Sequence, residues 1–468
     1  MSNGNAATHR TTSDGVYYLL AAVVGVLVGA IGSVFHIAVE FLLDWPKFVI
    51  AHISGPLVYP VLAAVAMAMV LLSVYLVRRF APEAAGSGVQ EIEGAMEGLR
   101  TLHWWRVLPV KFFGGILSLG AGLVAGREGP TIHMGASISE AFTRATGLGL
   151  RDGRGLMAAG AAAGLAAAFS APLAAVLFVI EETRRQFPYG FRTYTAVIVC
   201  SAASGAVTVA IGGARPFLFL EVPDMPLTLL PAFIVLGALL GGVGVLFNAG
   251  VLTGLESADK VGRRFTPYLW PAVVAAAIGV LALLRPEATQ GGEGLVLTMA
   301  HEHLGVLTLA VIVVIRFVMT MASYSTGAPG GIFAPILAMA TAFGLLFGGL
   351  LDLVVTLPPG TSTAFAVAAM GGLFTATVRA PLVGMVLVAE LTGAYSLFLP
   401  VIVTCVMANI VAEALKGRPI YEQLLERTLR LAGQTPGVRG DDEAIGGWDE
   451  KGRRHPDHLM PDRAPPRA

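Results

Sequence analysis

Gly126-Arg127-Glu128-Gly129-Pro130-Thr131-Ile132-His133-Met134-Gly135 has a counterpart later in the chain, Gly330-Gly331-Ile332-Phe333-Ala334-Pro335-Ile336-Leu337-Ala338-Met339. Pro130 and Pro335 lie 205 residues apart. Two further landmarks recur around them in the same order. Gly86-Ser87-Gly88-Val89-Gln90 pairs with Gly292-Glu293-Gly294-Leu295-Val296 at an offset of 206, and Ser170-Ala171-Pro172 with Arg379-Ala380-Pro381 at an offset of 209. The near-constant offset divides the chain into two related halves, about residues 16–213 and 226–427. Each landmark places glycine or proline where it interrupts an apolar helix. Paired halves with interruptions at matching positions are the mark of a secondary transporter, whose substrate sits near the bilayer midplane where the broken helices meet.

The surroundings are built for lipid. Of 468 residues, 55% are hydrophobic and 13% charged. Uncharged runs cover residues 16–38, 155–180, 226–255, 317–351, 353–378 and 391–412. A bilayer asks about 18 to 25 apolar residues of a helix. Ten or more segments of this kind, with short polar joins, predict one all-α polytopic membrane domain over residues 16–427, after a polar tail over 1–15. A β-barrel would instead show segments of about ten residues alternating in polarity. The first fifteen residues lack the basic region, short apolar core and small-residue cleavage site of a signal peptide, so the first span is expected to insert directly. Residues 428–468 are polar and proline-rich, a composition expected to stay disordered, and too short for a pair of regulatory nucleotide-binding domains.

The 31 basic and 31 acidic residues cancel, which points to neither nucleic acid nor an acidic partner. Cys200 and Cys405 both lie in apolar runs and read as small core residues. His301-Glu302-His303 lacks the histidines at i and i+4 that put two metal ligands on one helix face. No Gly-x-Ser-x-Gly elbow or intramembrane aspartate pair is present. Neither an enzyme nor a metal or other cofactor is expected.

The glycine-rich motifs each precede a helix-compatible run, so Ser87, Glu128 and Ile332-Phe333 fall at or just before helix N-termini. Such ends expose unpaired N–H groups and about half a positive charge, and anions bind there. Gly86, Gly88, Gly126, Gly129, Gly330 and Gly331 allow close approach of the backbone, and Pro130 and Pro335 suit a first helical turn. Three ends aimed at one point would hold a dehydrated anion without a full cationic charge. Glu128 stands among them, and an ionisable side chain at membrane depth marks an ion path or proton relay. The competing reading is a permanent pair with Arg127 or another cation.

These motifs resemble those of the CLC family of chloride channels and chloride/proton exchangers, in its prokaryotic form without C-terminal regulatory domains. Gly86-Ser87-Gly88-Val89-Gln90-Glu91-Ile92-Glu93-Gly94 is similar to the family's first anion-site motif, Gly126-Arg127-Glu128-Gly129-Pro130 to its gating-glutamate motif, and Gly330-Gly331-Ile332-Phe333-Ala334-Pro335 to its third. Gln90 departs from the proline common there. The resemblance implies the CLC fold of two inverted repeats with tilted and broken helices. It also implies a central chloride held by the hydroxyls of Ser87 and Tyr421 and the N–H groups of Ile332 and Phe333, with Glu128 as external gate and proton carrier. Glu182 matches the internal proton-transfer glutamate of the exchangers, although on the residues alone Glu181-Glu182 reads equally as an interfacial helix end. A homodimer with one pore per subunit, cytoplasmic tails and a bacterial inner membrane are further implications.

Coupled chloride/proton antiport is therefore the expected function, with passive chloride conduction on the same fold as the alternative. Ser87 also reads as a plain helix cap, and Tyr421 as an interfacial anchor. Lys111 and Arg316 read either as long-range attractors of anions or as side chains that snorkel to the interface. Glu91, Glu93 and Glu390 read as helix-end or packing carboxylates, and His133 as a satisfied interior histidine. Arg78-Arg79, Arg184-Arg185 and Lys416-Gly417-Arg418 fit a positive-inside bias loosely.

Overall fold

The computed structural model describes residues 13–183, 190–213, 218–220, 222–302 and 304–433. The first half runs α1 (Asp14–Leu43), α2 (Trp45–His52), α3 (Val58–Phe80), α4 (Val89–Met96), α5 (Trp104–Gly120), α6 (Glu128–Thr146), α7 (Leu150–Phe169), α8 (Pro172–Glu182) and α9 (Phe191–Gly212). The second runs α10 (Leu230–Arg264), α11 (Leu269–Leu284), α12 (Glu293–His301), α13 (Val306–Tyr324), α14 (Phe333–Asp352), α15 (Thr361–Val378), α16 (Pro381–Thr392) and α17 (Phe398–Ala414). An amphipathic α18 (Ile420–Leu431) closes the described chain. From α3 onward the halves match helix for helix, α3 with α11 through α9 with α17.

Eight helical stretches among the described residues are long and apolar enough to cross a bilayer, fewer than the ten or more expected. Uncharged length overcounts because glycine, serine and proline cut the runs. Residues 155–180 are shared between α7 and α8, and 317–351 between α13 and α14. The helices α4, α8, α12 and α16, with 8 to 12 residues each, are too short to span alone.

The breaks have local causes. α7 ends at Ser170 and α15 at Arg379, both in the left-handed conformation at φ 54° and 69°. An alanine outside the α region follows in each half, as the residue before proline requires, and Pro172 or Pro381 then opens the next helix. A left-handed non-glycine residue costs about 1–2 kcal/mol, and both halves keep it at the same place.

The new helix starts are capped across the repeat. Glu390, near the end of α16, accepts the N–H groups of Leu173 (3.2 Å) and Ala174 (2.7 Å) at the start of α8. Glu181, near the end of α8, accepts those of Leu382 (3.3 Å) and Val383 (2.9 Å) at the start of α16. Glu390 is thus the helix-end carboxylate expected of it, with a partner from the opposite half.

One detail of the repeat shifts. Gly88 and Gly292 are the left-handed residues that precede α4 and α12, at φ 90° and 104°, and the 3-10 turns Pro82–Ala84 and Pro286–Ala288 precede them. The structural register therefore pairs Gly88 with Gly292, whereas the sequence landmark aligns Gly86 with it.

The core lies on α7 and α15, whose last sixteen or so residues are almost wholly buried. Their alanines and glycines let neighbouring backbones approach closely. A Cβ on Gly135 of α6 would strike the Gly160 carbonyl of α7, and one on Gly344 of α14 would strike Phe365 and Ala366 of α15. Cys200 and Cys405 are buried free thiols, as read from sequence. α18 continues to Leu431, into the stretch assigned to the polar tail. The rest of that assignment (434–468), residues 1–12 of the N-terminal tail, Arg184-Arg185 and His303 lie outside the described residues.

Candidate functional site

Backbone pairing gathers the three glycine motifs. Gly126 and Gly331 exchange two hydrogen bonds, N–H of Gly126 to the Gly331 carbonyl at 2.8 Å and the reverse at 2.7 Å. Gly86 donates to Ala328 (3.2 Å) and accepts from Gly330 (3.0 Å). The loops that start α4, α6 and α14 are therefore tied to one another, two of them from the first half and one from the second. Their helix starts converge.

Glu128 sits in the middle of this knot, wholly buried as the first residue of α6. Its Oε1 accepts the N–H of Phe333, the first residue of α14, at 2.6 Å. Oε2 is buried without a hydrogen-bond partner. The carboxylate lies so close to the two bridging glycines that a Cβ on Gly126 or Gly331 would overlap it. It is not paired with Arg127. The Arg127 guanidinium turns the other way, donating to the Ala168 carbonyl (3.1 Å), touching His36 and lying 3.7 Å from Glu293. An acceptor-only group at a helix start is where an anion binds, so Glu128 takes the position of one.

Ser87 approaches from α4. Gly86 and Gly88 both have positive φ, at 59° and 90°, and the Gly86 and Ser87 carbonyls are held by the ammonium of Lys111 at 2.7 and 2.9 Å. Ser87 Oγ lies against the Cα of Gly129, where any side chain would collide with it. Tyr421, second residue of α18, packs its ring, tilted, 6.0 Å from that of Phe333 and brings its phenol near Ser87 and Glu128. Both hydroxyls are fully buried, and neither forms a hydrogen bond of proper geometry. A buried hydroxyl without a partner is costly. Two of them beside two helix starts supply donors suited to an anion.

Phe333 is the packing hinge. Its ring meets those of Phe169, Phe178 and Phe374 at 6.4, 5.5 and 4.7 Å, which seats the start of α14 against α7, α8 and α15. Ile332 precedes α14 and is fully buried. Pro130 and Pro335 fall in the first turns of α6 and α14. Glu182 is the last residue of α8, within electrostatic reach of Tyr421. The structure thus brings Ser87, Glu128, Phe333 and Tyr421 together and leaves Glu182 at the other end of α8.

Several readings change. Lys111 and Arg316 do not snorkel, because both are fully buried. Arg316 donates to the carbonyls of Thr289 (2.9 Å), Gln290 (3.0 Å) and Gly291 before α12, as Lys111 does to the loop before α4. The two cations are 205 residues apart and act as equivalent clamps. His133 is buried against Gly88 with neither ring nitrogen hydrogen-bonded, so it is not the satisfied histidine expected. Glu91 pairs with Arg100 at 2.9 Å, a packing role as read. Gln90 is buried in α4, which forms without the proline, although the Gln90 amide oxygen lacks a partner. The residues that sequence reasoning passed over are His36, Glu40 and Glu293 beside Arg127. The spacing of His36 and Glu40 at i and i+4 was the available signal.

Comparison with known proteins agrees with this geometry. The family model for the voltage gated chloride channel matches residues 69–413. The H(+)/Cl(-) exchange transporter ClcA of Vibrio campbellii is 43% identical over 430 residues, covering 90% of this chain and 91% of that protein. A slow cyanobacterial Cl-/H+ antiporter of known structure superimposes with a TM-score of 0.85 at 38% identity, over 89% of this chain and 99% of that one. A eukaryotic CLC transporter gives 0.72 at 25% identity, over 88% of this chain and 74% of that one. Two inverted halves, three helix starts knotted at one acid, and similarity along nearly the whole described chain place this multi-pass membrane protein in the CLC family.

Proposed function

We propose that the protein exchanges chloride for protons across the membrane, with Glu128 as the group both ions address. The observation that carries this reading is the Glu128 carboxylate accepting the N–H of Phe333. A carboxylate there competes with chloride for the same donor. Ionised, Glu128 occupies the outer part of the anion path; protonated, it gives up its claim and chloride takes its place. The same side chain then carries a proton as it makes way for the anion. The Vibrio campbellii and cyanobacterial relatives are themselves an H(+)/Cl(-) exchange transporter and a Cl-/H+ antiporter, which supports the same conclusion.

Chloride in the inner part of the path is held by Ser87, Tyr421 and the N–H groups of Ile332 and Phe333. Their support is the pair of buried, unpartnered hydroxyls, which can donate to an anion. Glu182 is the internal proton stop, its place at the end of α8 being offset from the anion route. The working unit is a homodimer with one such path per subunit in a bacterial inner membrane. No cofactor takes part.

The test is thermodynamic. Purified protein in liposomes, given a chloride gradient, drives protons uphill, and Glu182→Gln stops proton movement while chloride still passes. A zero-current voltage that follows chloride alone and ignores pH would replace exchange with passive conduction. Full proton coupling in Glu182→Gln would remove that residue from the route.

A further inference from the structure

A groove of about 450 Å³ lies between the end of α3 and the start of α5, lined by Leu76, Arg79 and Phe80 of the one and by Trp105, Arg106 and Phe113 of the other. Its lining is ordered by polarity. Arg79 stands in the last turn of α3 and Arg106 in the first turn of α5, so both guanidiniums come from the same end of the helix pair. Leu76 lies about a turn back along α3, and Phe113 lies roughly 12 Å along α5 from the level of Trp105. α3 belongs to a stretch long and apolar enough to cross a bilayer, and that stretch ends at Phe80. The arginines therefore sit where hydrocarbon gives way to headgroups, and the apolar lining runs inward from them. Phe80, Trp105 and Phe113 are each about half exposed.

The two cations are unclaimed. Among the described residues neither guanidinium has an ion-pair or hydrogen-bond partner; Arg79 lies 5.6 Å over the ring of Phe80, and Arg106 4.4 Å over that of Trp105. Glu83, the carboxylate nearest to Arg79 in the chain, is bonded instead to His103. Pro109, also in the lining, has no N–H to give the Trp105 carbonyl one turn earlier in α5, which leaves that acceptor without its usual helical donor. The groove thus offers two planar forks that match phosphate, a carbonyl beside them and an apolar trough below. A soluble anion would use the forks and leave the trough in contact with nothing of its own kind. A zwitterionic headgroup would bring its own ammonium against two arginines.

We propose that the groove seats an anionic phospholipid whose headgroup carries no amine, such as phosphatidylglycerol, with its phosphate between Arg79 and Arg106 and an acyl chain along Leu76, Val110 and Phe113. Basic pockets between membrane helices suit acidic headgroups of this kind. The seat is separate from the anion site but bears on the segment that carries it. Residues 81–103, which include Ser87 and α4, form the whole connection from α3 to α5. A phosphate gripped by one arginine from each helix ties the two ends of that connection together, and occupancy stabilises the folded chain by mass action.

The experiment weighs bound lipid by native mass spectrometry of the whole protein in detergent micelles, with phosphatidylglycerol and phosphatidylcholine offered in equal amounts. Phosphatidylglycerol is retained about tenfold over phosphatidylcholine, and it raises the unfolding temperature in the same micelles. The double variant Arg79→Gln, Arg106→Gln loses both effects. The double variant Arg263→Gln, Arg264→Gln, which removes two likewise exposed arginines from the last turn of α10, keeps them. Equal retention of the two lipids overturns the proposal, as does a preference that survives the loss of Arg79 and Arg106. A preference lost in the α10 variant as well would reduce the effect to surface charge and overturn it too. Displacement of the lipid by inorganic phosphate would make the groove a site for soluble anions, against the proposal. Chloride and proton movement enter none of these readings, so failure here leaves the exchange mechanism standing.

Discussion

Glu128 opens α6 in the first half, and Phe333 opens α14 at the same position of the second, 205 residues later. The carboxylate of one takes the N–H of the other. Around this asymmetric pair the halves are otherwise alike: Lys111 and Arg316 clamp equivalent loops, Ser170 and Arg379 break equivalent helices, and Glu181 and Glu390 cap one another's neighbours. The symmetric elements build the scaffold, and in the function proposed here the asymmetric ones face the ions. Duplication explains the first set. The second set marks where the halves differ, at the place proposed for the anion path.

The sharpest way to break this comparison is at Glu128 itself. Glu128→Gln keeps the size and hydrogen-bonding capacity of the side chain but removes its titration. Proton movement should vanish while chloride flux, followed by a chloride electrode, continues. Persistent proton coupling would mean that the asymmetric position is not the one that carries protons.

A smaller effect separates scaffold from path among the clamps. Lys111→Met and Arg316→Met each strand carbonyls in a buried loop, and each should lower stability by about 2–3 kcal/mol, read by unfolding in detergent micelles. Only Lys111→Met should also weaken chloride binding in a calorimetric titration, because its loop carries Ser87. Equal loss of chloride affinity in both variants would erase the distinction drawn between the halves.

The smallest effect tests the symmetry as energy. Glu181→Gln and Glu390→Gln each replace a charged cap by a neutral one and should cost about 1 kcal/mol apiece, in line with other helix caps. Similar losses support equivalent capping. A loss confined to one would show that the reciprocal geometry is not matched by reciprocal stabilisation.

Much of this was legible in the sequence for a physical reason. Breaking a helix inside a bilayer requires glycine and proline, and these stand out in an apolar chain, so the repeat, the helix starts and Glu128 were all visible. What periodicity hides is which loop pairs with which. The Gly126–Gly331 and Gly86–Gly330 pairings join residues more than 200 positions apart and leave no local trace. Charge is similarly ambiguous. Lys111 and Arg316 look the same in sequence whether they snorkel or hold carbonyls, and only burial decides. The residue pairing of the first landmark slipped because Gly86 and Gly88 both precede α4, and the backbone angle selects Gly88 as the partner of Gly292. His36 stayed hidden because Arg127, which it touches, lies 91 positions away, and Glu293, which meets Arg127, comes from the other half of the chain.

The two bridging glycines carry one more consequence. Each leaves room for the acid by having no side chain, and a lone methyl at either place would occupy that room permanently. Such a methyl would evict the carboxylate without any change of charge, doing by bulk what the proposed exchange does by protonation. A protein so altered would have its door wedged, spilling halide down its gradient and no longer storing energy in a pH difference.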